Sequence, residues 1–314
     1  MPKQKIIAVV GPTASGKTAL GVYLARHLCG EVISCDSMQI YKYMDIATAK
    51  PTAEEMQGIR HHLIDFLPPE CSYSVAAFCR DAALAAADIV SRGKIPIIVG
   101  GTGLYVDSFL NNTEFLEDAH NDGIRQQLFS LADEKGTEFL YEKLLKSDPQ
   151  AASKIHPNNT VKIVRALEVL ETTGMTITRQ AEISHKNPSP YDAVYIGINY
   201  KDRQKLYDRI NKRVDIMLEN GLVDEARRFY EHSSSDTSVN VIGYKELKPF
   251  LDGVLPLDVC VENLKRATRH YAKRQLTWFG RNEKTLWFYA DDYSVQDDLY
   301  ADVLSAVTKG GEEI

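Results

Sequence analysis

Residues 5–18 read Lys-Ile-Ile-Ala-Val-Val-Gly-Pro-Thr-Ala-Ser-Gly-Lys-Thr, an apolar run that empties into an eight-residue glycine loop. The run Lys5 to Val10 has the length and β-branched content of a buried strand. In Gly11, Pro12, Thr13, Ala14, Ser15, Gly16, Lys17 and Thr18, the two glycines tolerate a tight turn whose backbone N–H groups can wrap an anion. Lys17 adds a point charge and Thr18 a hydroxyl suited to Mg²⁺, and a helix starting near Gly16 turns its positive end to the same place. The loop therefore predicts binding of a di- or triphosphate, nucleotides such as ATP included. It also predicts an α/β fold.

Further elements extend that fold. A helix over about Lys17–Leu28 leads to the strand Glu31–Cys35, which delivers Asp36-Ser37-Met38-Gln39 to its carboxyl end. An Ala-rich helix over Ser74–Ser91 leads to the strand Ile95–Val99, which ends in Gly100-Gly101-Thr102-Gly103. Strands alternating with helices imply a parallel sheet whose ligands gather beyond the carboxyl ends of its strands, so the glycine loop, Asp36 and Thr102 should share one rim. Another strand, Val194–Ile198, follows a proline-broken stretch. Residues 117–192 read as helices, one of them spanning about Thr160–Glu171 and stopping at Gly174, with Ile163, Val164, Leu167 and Leu170 inward. The expected architecture is a parallel-sheet core made of 1–116 and 193–314, with a helical subdomain inserted over 117–192.

Composition narrows the class. Of 314 residues, 44% are hydrophobic and 25% charged, an ordinary globular composition. No apolar stretch is long enough to span a membrane and no basic leader precedes the first strand, so a cytoplasmic protein is expected. Five cysteines (Cys29, Cys35, Cys71, Cys79, Cys260) without C-x-x-C spacing suggest reduced, mostly buried thiols. The adjacent pair His61-His62 points to two sides of either regular element, which favours local hydrogen bonding over metal ligation.

The net charge of −6 is unevenly placed. From Tyr289 to Ile314 seven acids face Lys309 alone, so the rest of the chain is neutral. Within that neutral remainder, Glu262–Arg281 carries six bases against one acid, and Lys201–Arg213 six against two. Arg266, Arg269 and Lys273 recur at helical spacing and can form one basic face with Tyr271, Trp278 and Phe279 interleaved, the pattern of a polyanion-binding helix. A solvated helix face is the alternative.

Seven segments together are similar to one family: GPTASGKT at 11–18, ISCDSMQIYKYMDIATAKP at 33–51, HHLID at 61–65, GGTGLY at 100–105, RALEV at 165–169, GYKE at 243–246 and YAKRQLTWF at 271–279. Over nearly its whole length the chain resembles the bacterial tRNA dimethylallyltransferase (tRNA isopentenyltransferase, IPP transferase) family. The resemblance implies a P-loop NTPase-like core with an inserted helical tRNA-binding subdomain. It implies transfer of a dimethylallyl group from dimethylallyl diphosphate, with Mg²⁺, to the exocyclic amino group of adenine at tRNA position 37, in tRNAs that read codons starting with U. It also implies a channel that the flipped adenine of the anticodon stem-loop enters at one end and the diphosphate at the other. The chain ends without the zinc-finger extension of eukaryotic relatives, which points to the bacterial type, acting as a monomer.

Residue roles follow from the same resemblance. Asp36 is the expected general base, needed because an adenine amino group becomes acidic only as its new C–N bond forms. Thr102 is expected to place that amino group, and Arg209 and Arg213, one helical turn apart, to stand near the diphosphate held by residues 11–18. Asp36, Ser37, Met38, Gln39, Arg125, Val161, Lys162, Ile163, Val164 and Arg165 align with tRNA-contacting positions, and Arg266, Arg269 and Lys273 supply the basic face. Val161-Lys162 departs from the family's usual polar or basic residue followed by Arg, and Lys cannot reproduce a bidentate arginine contact. Two rival readings remain: a nucleotide kinase, which the absence of an Asp at the end of Ile95–Val99 disfavours, and a dimethylallyltransferase acting on free adenine nucleotide.

Overall fold

In the computed structural model the described residues are 3–115, 121–184, 187–232 and 241–309. The apolar run forms strand β1 (Gln4–Val10), which lies inside a six-stranded sheet. Around it stand β2 (Gly30–Ser34), β3 (His61–His62), β4 (Ile95–Gly100), β5 (Tyr191–Asn199) and β6 (Leu286–Tyr289). The order is β3-β2-β4-β1-β5-β6 and every pairing is parallel. β5 begins at Tyr191, earlier than the expected Val194, because Tyr191 pairs with Gln4 at the start of β1 and its ring packs on Phe109.

Both faces of the sheet are covered. On one, Ile6, Ala8, Val10, Ile33 and Ile98 pack against α3 (Val75–Ser91) and α4 (Gly103–Leu110), with Phe78, Val106 and Phe109 at the centre. On the other, Ile7, Val9, Ile97 and Ile196 meet α1 (Lys17–His27) and α14 (Gln296–Lys309) through Leu20, Leu24, Leu299 and Val303. Burial on two faces is why these strands read as continuous apolar runs. Short α2 (Ala53–Met56) carries a capping box between Thr52 and Glu55. A third cluster joins α10 (Arg203–Glu219), α11 (Leu222–His232), α12 (Tyr244–Leu251) and α13 (Leu257–Phe279) to the loop after β2, around Tyr41, Met44, Val214, Tyr244 and Leu264.

The chain divides into two compact units, residues 1–110 with 190–314, and 111–189. The expected start of the insert, 117, lies outside the described residues. Within 111–189, α5 (Asp122–Lys135), α6 (Thr137–Ser147), α7 (Pro149–Lys154), α8 (Thr160–Thr173) and α9 (Ile177–Ser184) enclose a core of their own, centred on Leu128, Leu140, Leu144, Ile163, Val164 and Leu167. Asn159 caps α8 by accepting from the Lys162 N–H, and Gly174 ends it at φ 69°.

Two expectations need correction. Only Cys35 and Cys260 are buried, whereas Cys29 and Cys71 are exposed and Cys79 is intermediate. Cys29 sits at φ 52° in the turn out of α1 and Cys71 in the loop before α3, positions that face water. The basic face of α13 is also smaller than its sequence suggests. Arg269 turns to α10 and bonds Asn211 at 2.6 Å, and Lys265 pairs with Asp215 at 2.7 Å. Arg266 and Lys273 stay exposed, but Phe279 is buried in the core and Trp278 donates to Asp107 at 2.6 Å, so the aromatic residues face inward.

Candidate active site

The glycine loop leaves β1 at Gly11, whose φ of 144° only glycine adopts readily; a Cβ there would meet the Ile198 carbonyl at 2.3 Å. Gly16 caps α1 from the left-handed region at φ 100°, so the loop's N–H groups and the helix N-terminus share one side. Three side chains from later in the chain hold the loop's shape. The Thr13 N–H donates to Gln275 Oε1 at 2.7 Å, Arg209 Nε donates to the Ala14 carbonyl at 2.9 Å, and an Arg213 NH donates to Thr13 Oγ1 at 3.4 Å. Gln275 also donates to the Gly101 carbonyl at 3.1 Å, tying the loop to the end of β4. A Cβ on Gly101 would lie 2.0 Å from Gln275 Nε2, which is why a glycine stands there.

The electrostatics favour an anion. Lys17 Nζ reaches the Pro12 carbonyl at 2.6 Å. Burial first, then the Arg213 guanidinium, bring the Lys17 amine down to about 7, with Asp36 opposing. Arg213 is itself held below its usual value, by burial. Ser15 is buried and its hydroxyl has no hydrogen-bond partner among the described residues. Two crowded cations are what a bound diphosphate would satisfy.

Asp36 stands just past β2, with Oδ1 accepting from the Met38 N–H at 2.9 Å. Burial raises its pKa above the ordinary carboxylate value, although the Met38 and Gln39 N–H groups and the Lys17 charge oppose the rise. Thr102 Oγ1 accepts from the Ser37 N–H at 3.0 Å, which locks the Asp36 turn to the end of β4. Tyr271 closes the group against Thr102, and burial first, then Asp36, hold its phenol protonated.

Three cavities have walls that share these residues. One of about 640 Å³ lies beside the glycine loop, with Lys17, Thr18, Lys50, Arg209, Lys212 and Arg213 on its wall. Another of about 300 Å³ is lined by Asp36, Met38, Val214, Met217, Tyr271 and Arg274. A narrow neck of about 70 Å³ shares Lys17, Thr18 and Arg213 with the first and Asp36, Arg213 and Tyr271 with the second. Asp36, Thr102, Arg213 and the loop 11–18 thus come together as expected; Arg213 reaches the neck, whereas Arg209 stays on the wall of the larger cavity and braces the loop there.

Other expected positions fare differently. The Gln39 amide is engaged internally, accepting from Ser34 and donating to the Thr48 and Ala49 carbonyls. In the helical unit, Val161 is 59% exposed and Lys162 is exposed, but Ile163 and Val164 are fully buried in that unit's core, which removes their side chains as contacts to any ligand. Arg165 bonds the buried Glu168 at 3.0 Å and Arg125 stands 4.0 Å from the same carboxylate. His62 pairs with Glu31 at 2.8 Å and His61 with the Ile59 carbonyl at 2.9 Å, and no cluster of three or more His, Cys, Asp or Glu able to hold a metal occurs among the described residues. Sequence reading missed Tyr271 and Gln275 as site residues, although their i, i+4 spacing on α13 put them on one face.

A parallel sheet with helices on both faces, a phosphate loop after its first strand and a carboxylate at the next strand's end define a P-loop protein. The IPP transferase family model matches residues 39–283 and the isopentenyl transferase model residues 4–67. The chain is 48% identical to the tRNA dimethylallyltransferase of Caldanaerobacter subterraneus subsp. tengcongensis over 94% of this chain and 95% of that protein. It is 47% identical to that of Bacillus subtilis over 91% of each. Among solved structures, the full-length tRNA isopentenylpyrophosphate transferase of Bacillus halodurans superposes with a TM-score of 0.72 at 43% identity, over 99% of this chain and all of that one. A eukaryotic dimethylallyltransferase acting on tRNA superposes at 0.83 and 31% identity, over 98% of this chain and 79% of the other. The chain belongs to the IPP transferase family.

Proposed function

We propose that this chain transfers a dimethylallyl group from dimethylallyl diphosphate to the exocyclic amino nitrogen of adenine at position 37 of tRNA, within the anticodon stem-loop. The neck carries this reading: it sets Asp36 between a cationic, loop-lined cavity suited to a diphosphate and a cavity with apolar and aromatic walls suited to a base. The C–O bond to the diphosphate breaks and its electron pair leaves with the diphosphate, whose new charge meets Lys17, Arg213 and the loop N–H groups. The amino nitrogen bonds the freed allylic carbon, and Asp36 takes the proton it sheds. Thr102 keeps the Asp36 turn in register with β4.

Mg²⁺ fits the donor present, since the Thr18 hydroxyl lines the neck and a phosphate-bound Mg²⁺ takes most of its ligands from phosphate and water. It would supply further neutralisation of the leaving diphosphate. Arg125, Lys162, Arg165, Arg266 and Lys273 are the groups proposed to meet tRNA phosphates. No described helix is long and apolar enough to cross a membrane. A monomer working in the cytoplasm is part of the proposal.

The test is incubation with dimethylallyl diphosphate, Mg²⁺ and either unmodified tRNA or AMP, followed by mass spectrometry. The dimethylallyl mass gain is expected on tRNA alone. A gain on AMP would move the substrate to free nucleotide, and in a parallel incubation with ATP and AMP, phosphate transfer without prenyl transfer in the first assay would make the protein a kinase.

A further inference from the structure

The loop Asp45–Ala49 separates the two larger cavities. Asp45 and Ile46 line the cavity beside the glycine loop, Ala47 and Thr48 line the other, and Ala49 lines both. This wall contains no regular secondary structure, and its position depends on hydrogen bonds from two sides. The N–H groups of Asp45, Ile46 and Ala47 all donate to one carboxylate, Glu225 of α11, at 2.9, 2.7 and 2.9 Å. From the opposite side, Gln39 Nε2 donates to the Thr48 and Ala49 carbonyls at 3.2 and 3.1 Å.

Glu225 is 5% exposed, and no salt bridge joins it to a cation among the described residues. Its fourth donor is the hydroxyl of Tyr244, at 2.9 Å. The Tyr244 phenol is held protonated by burial and by the Glu225 charge, so it remains a donor at all ordinary pH. A carboxylate buried without a cation is costly unless hydrogen bonds satisfy it, and here four donors do. What the carboxylate adds is geometry: three successive N–H groups converging on one anion allow the loop a single course. Gln39 carries that course to the Asp36 turn three residues earlier, and its own carbonyl is fixed by the Ser34 hydroxyl at 3.0 Å.

We propose that Glu225, backed by Tyr244, is a positioning residue for the transfer reaction: it fixes the Asp45–Ala49 wall that sets donor and acceptor on the two sides of Asp36. This role rests on the reaction proposed above. Glu225 touches neither substrate, so its effect should appear in turnover more than in anion binding.

Glu225→Gln puts an NH₂ group against backbone N–H donors, so at least one of them loses its acceptor, while Tyr244→Phe removes one hydrogen bond at nearly constant volume. Both variants are assayed well below their own melting temperatures, which separates a displaced wall from a loosened fold. For Glu225→Gln the expected result is pyrophosphate affinity within about twofold of the parent, faster hydrogen exchange at the 45–47 amides, and kcat lower by roughly 10- to 100-fold, the scale of an ångström-level misplacement of reacting groups. Tyr244→Phe should lower kcat severalfold and leave pyrophosphate affinity unchanged, and it carries the test if Glu225→Gln does not fold. With an active parent, undiminished turnover in the folded variants overturns the role alone. An inactive parent overturns the reaction itself.

Discussion

Lys17 and Arg213 line one narrow neck as like charges, and Lys17, through burial first and this neighbour second, titrates at about 7. The site without ligand is therefore short of negative charge. Its preference for a diphosphate follows from relief of that repulsion as much as from the loop's N–H groups.

Proton uptake should accompany diphosphate binding. Above pH 7 much of Lys17 is neutral in the ligand-free protein, and a bound anion raises its pKa, so binding at pH 8 should take up a substantial fraction of a proton that Lys17→Met does not take up. Calorimetry of pyrophosphate in two buffers of different ionisation enthalpy reads the difference. Because the folded value lies below the unfolded 10.5, the unfolded chain binds more protons between about 7 and 10.5, and this group makes ligand-free stability rise with pH across that window. Equal uptake by parent and variant would show that Lys17 does not titrate there.

Asp36→Asn should keep the shape of the neck and lose the proton acceptor. Single-turnover transfer should fall by at least ~10²-fold with tRNA affinity little changed. Since burial raises the Asp36 pKa, the acid limb of the parental pH–rate profile should lie above the ordinary carboxylate range and be absent from the variant's residual activity. Transfer near the parental rate would remove Asp36 from the chemistry.

At the amino end of β2, Glu31 is 2% exposed and meets Arg92, Lys94 and His62. Its hydrogen bond with Arg92 does most to hold its pKa well below the usual carboxylate range. A depressed carboxylate contributes stability that is present above the unfolded value of 4.5 and lost as pH falls below it. Glu31→Gln should cost about 2 kcal/mol at pH 7, less than a fully buried pair because Arg92 and Lys94 are partly exposed, and the cost should shrink below pH 4. Urea melts at pH 7 and pH 3.5 measure both; equal losses at the two pH values would contradict the assignment.

The exposed cations of α13 offer a test of tRNA contact that leaves chemistry alone. Arg266→Gln with Lys273→Gln should weaken tRNA binding and flatten the slope of log affinity against log salt by about 1.5, from roughly 0.7 to 0.9 per lost phosphate contact. Adding Arg269→Gln should mainly cost stability, because Arg269 ties α13 to α10 through Asn211. An unaltered salt slope in the double variant would mean that this face is only solvated surface.

What the sequence determined by itself was whatever is local or periodic. The apolar run before a glycine loop announced β1, the loop and α1; alternating strands and helices announced the parallel sheet; Gly174 marked the end of α8 to within a turn. Asp36 and Thr102 were legible because strand ends in a parallel sheet converge on one rim. The tertiary structure alone decided which side of α13 is free. A helix offers every residue at i, i+3 and i+4 the same surface until a partner arrives, and α10 arrived on the side of Arg269 and Lys265. It also decided that Ile163 and Val164 are core, that Gln275 bridges Thr13 to Gly101 across more than 170 residues, and that Glu225 anchors a loop 180 residues before it. Such contacts leave no periodic trace, because their residues meet only after the chain between them has folded and no short-range pattern encodes the meeting.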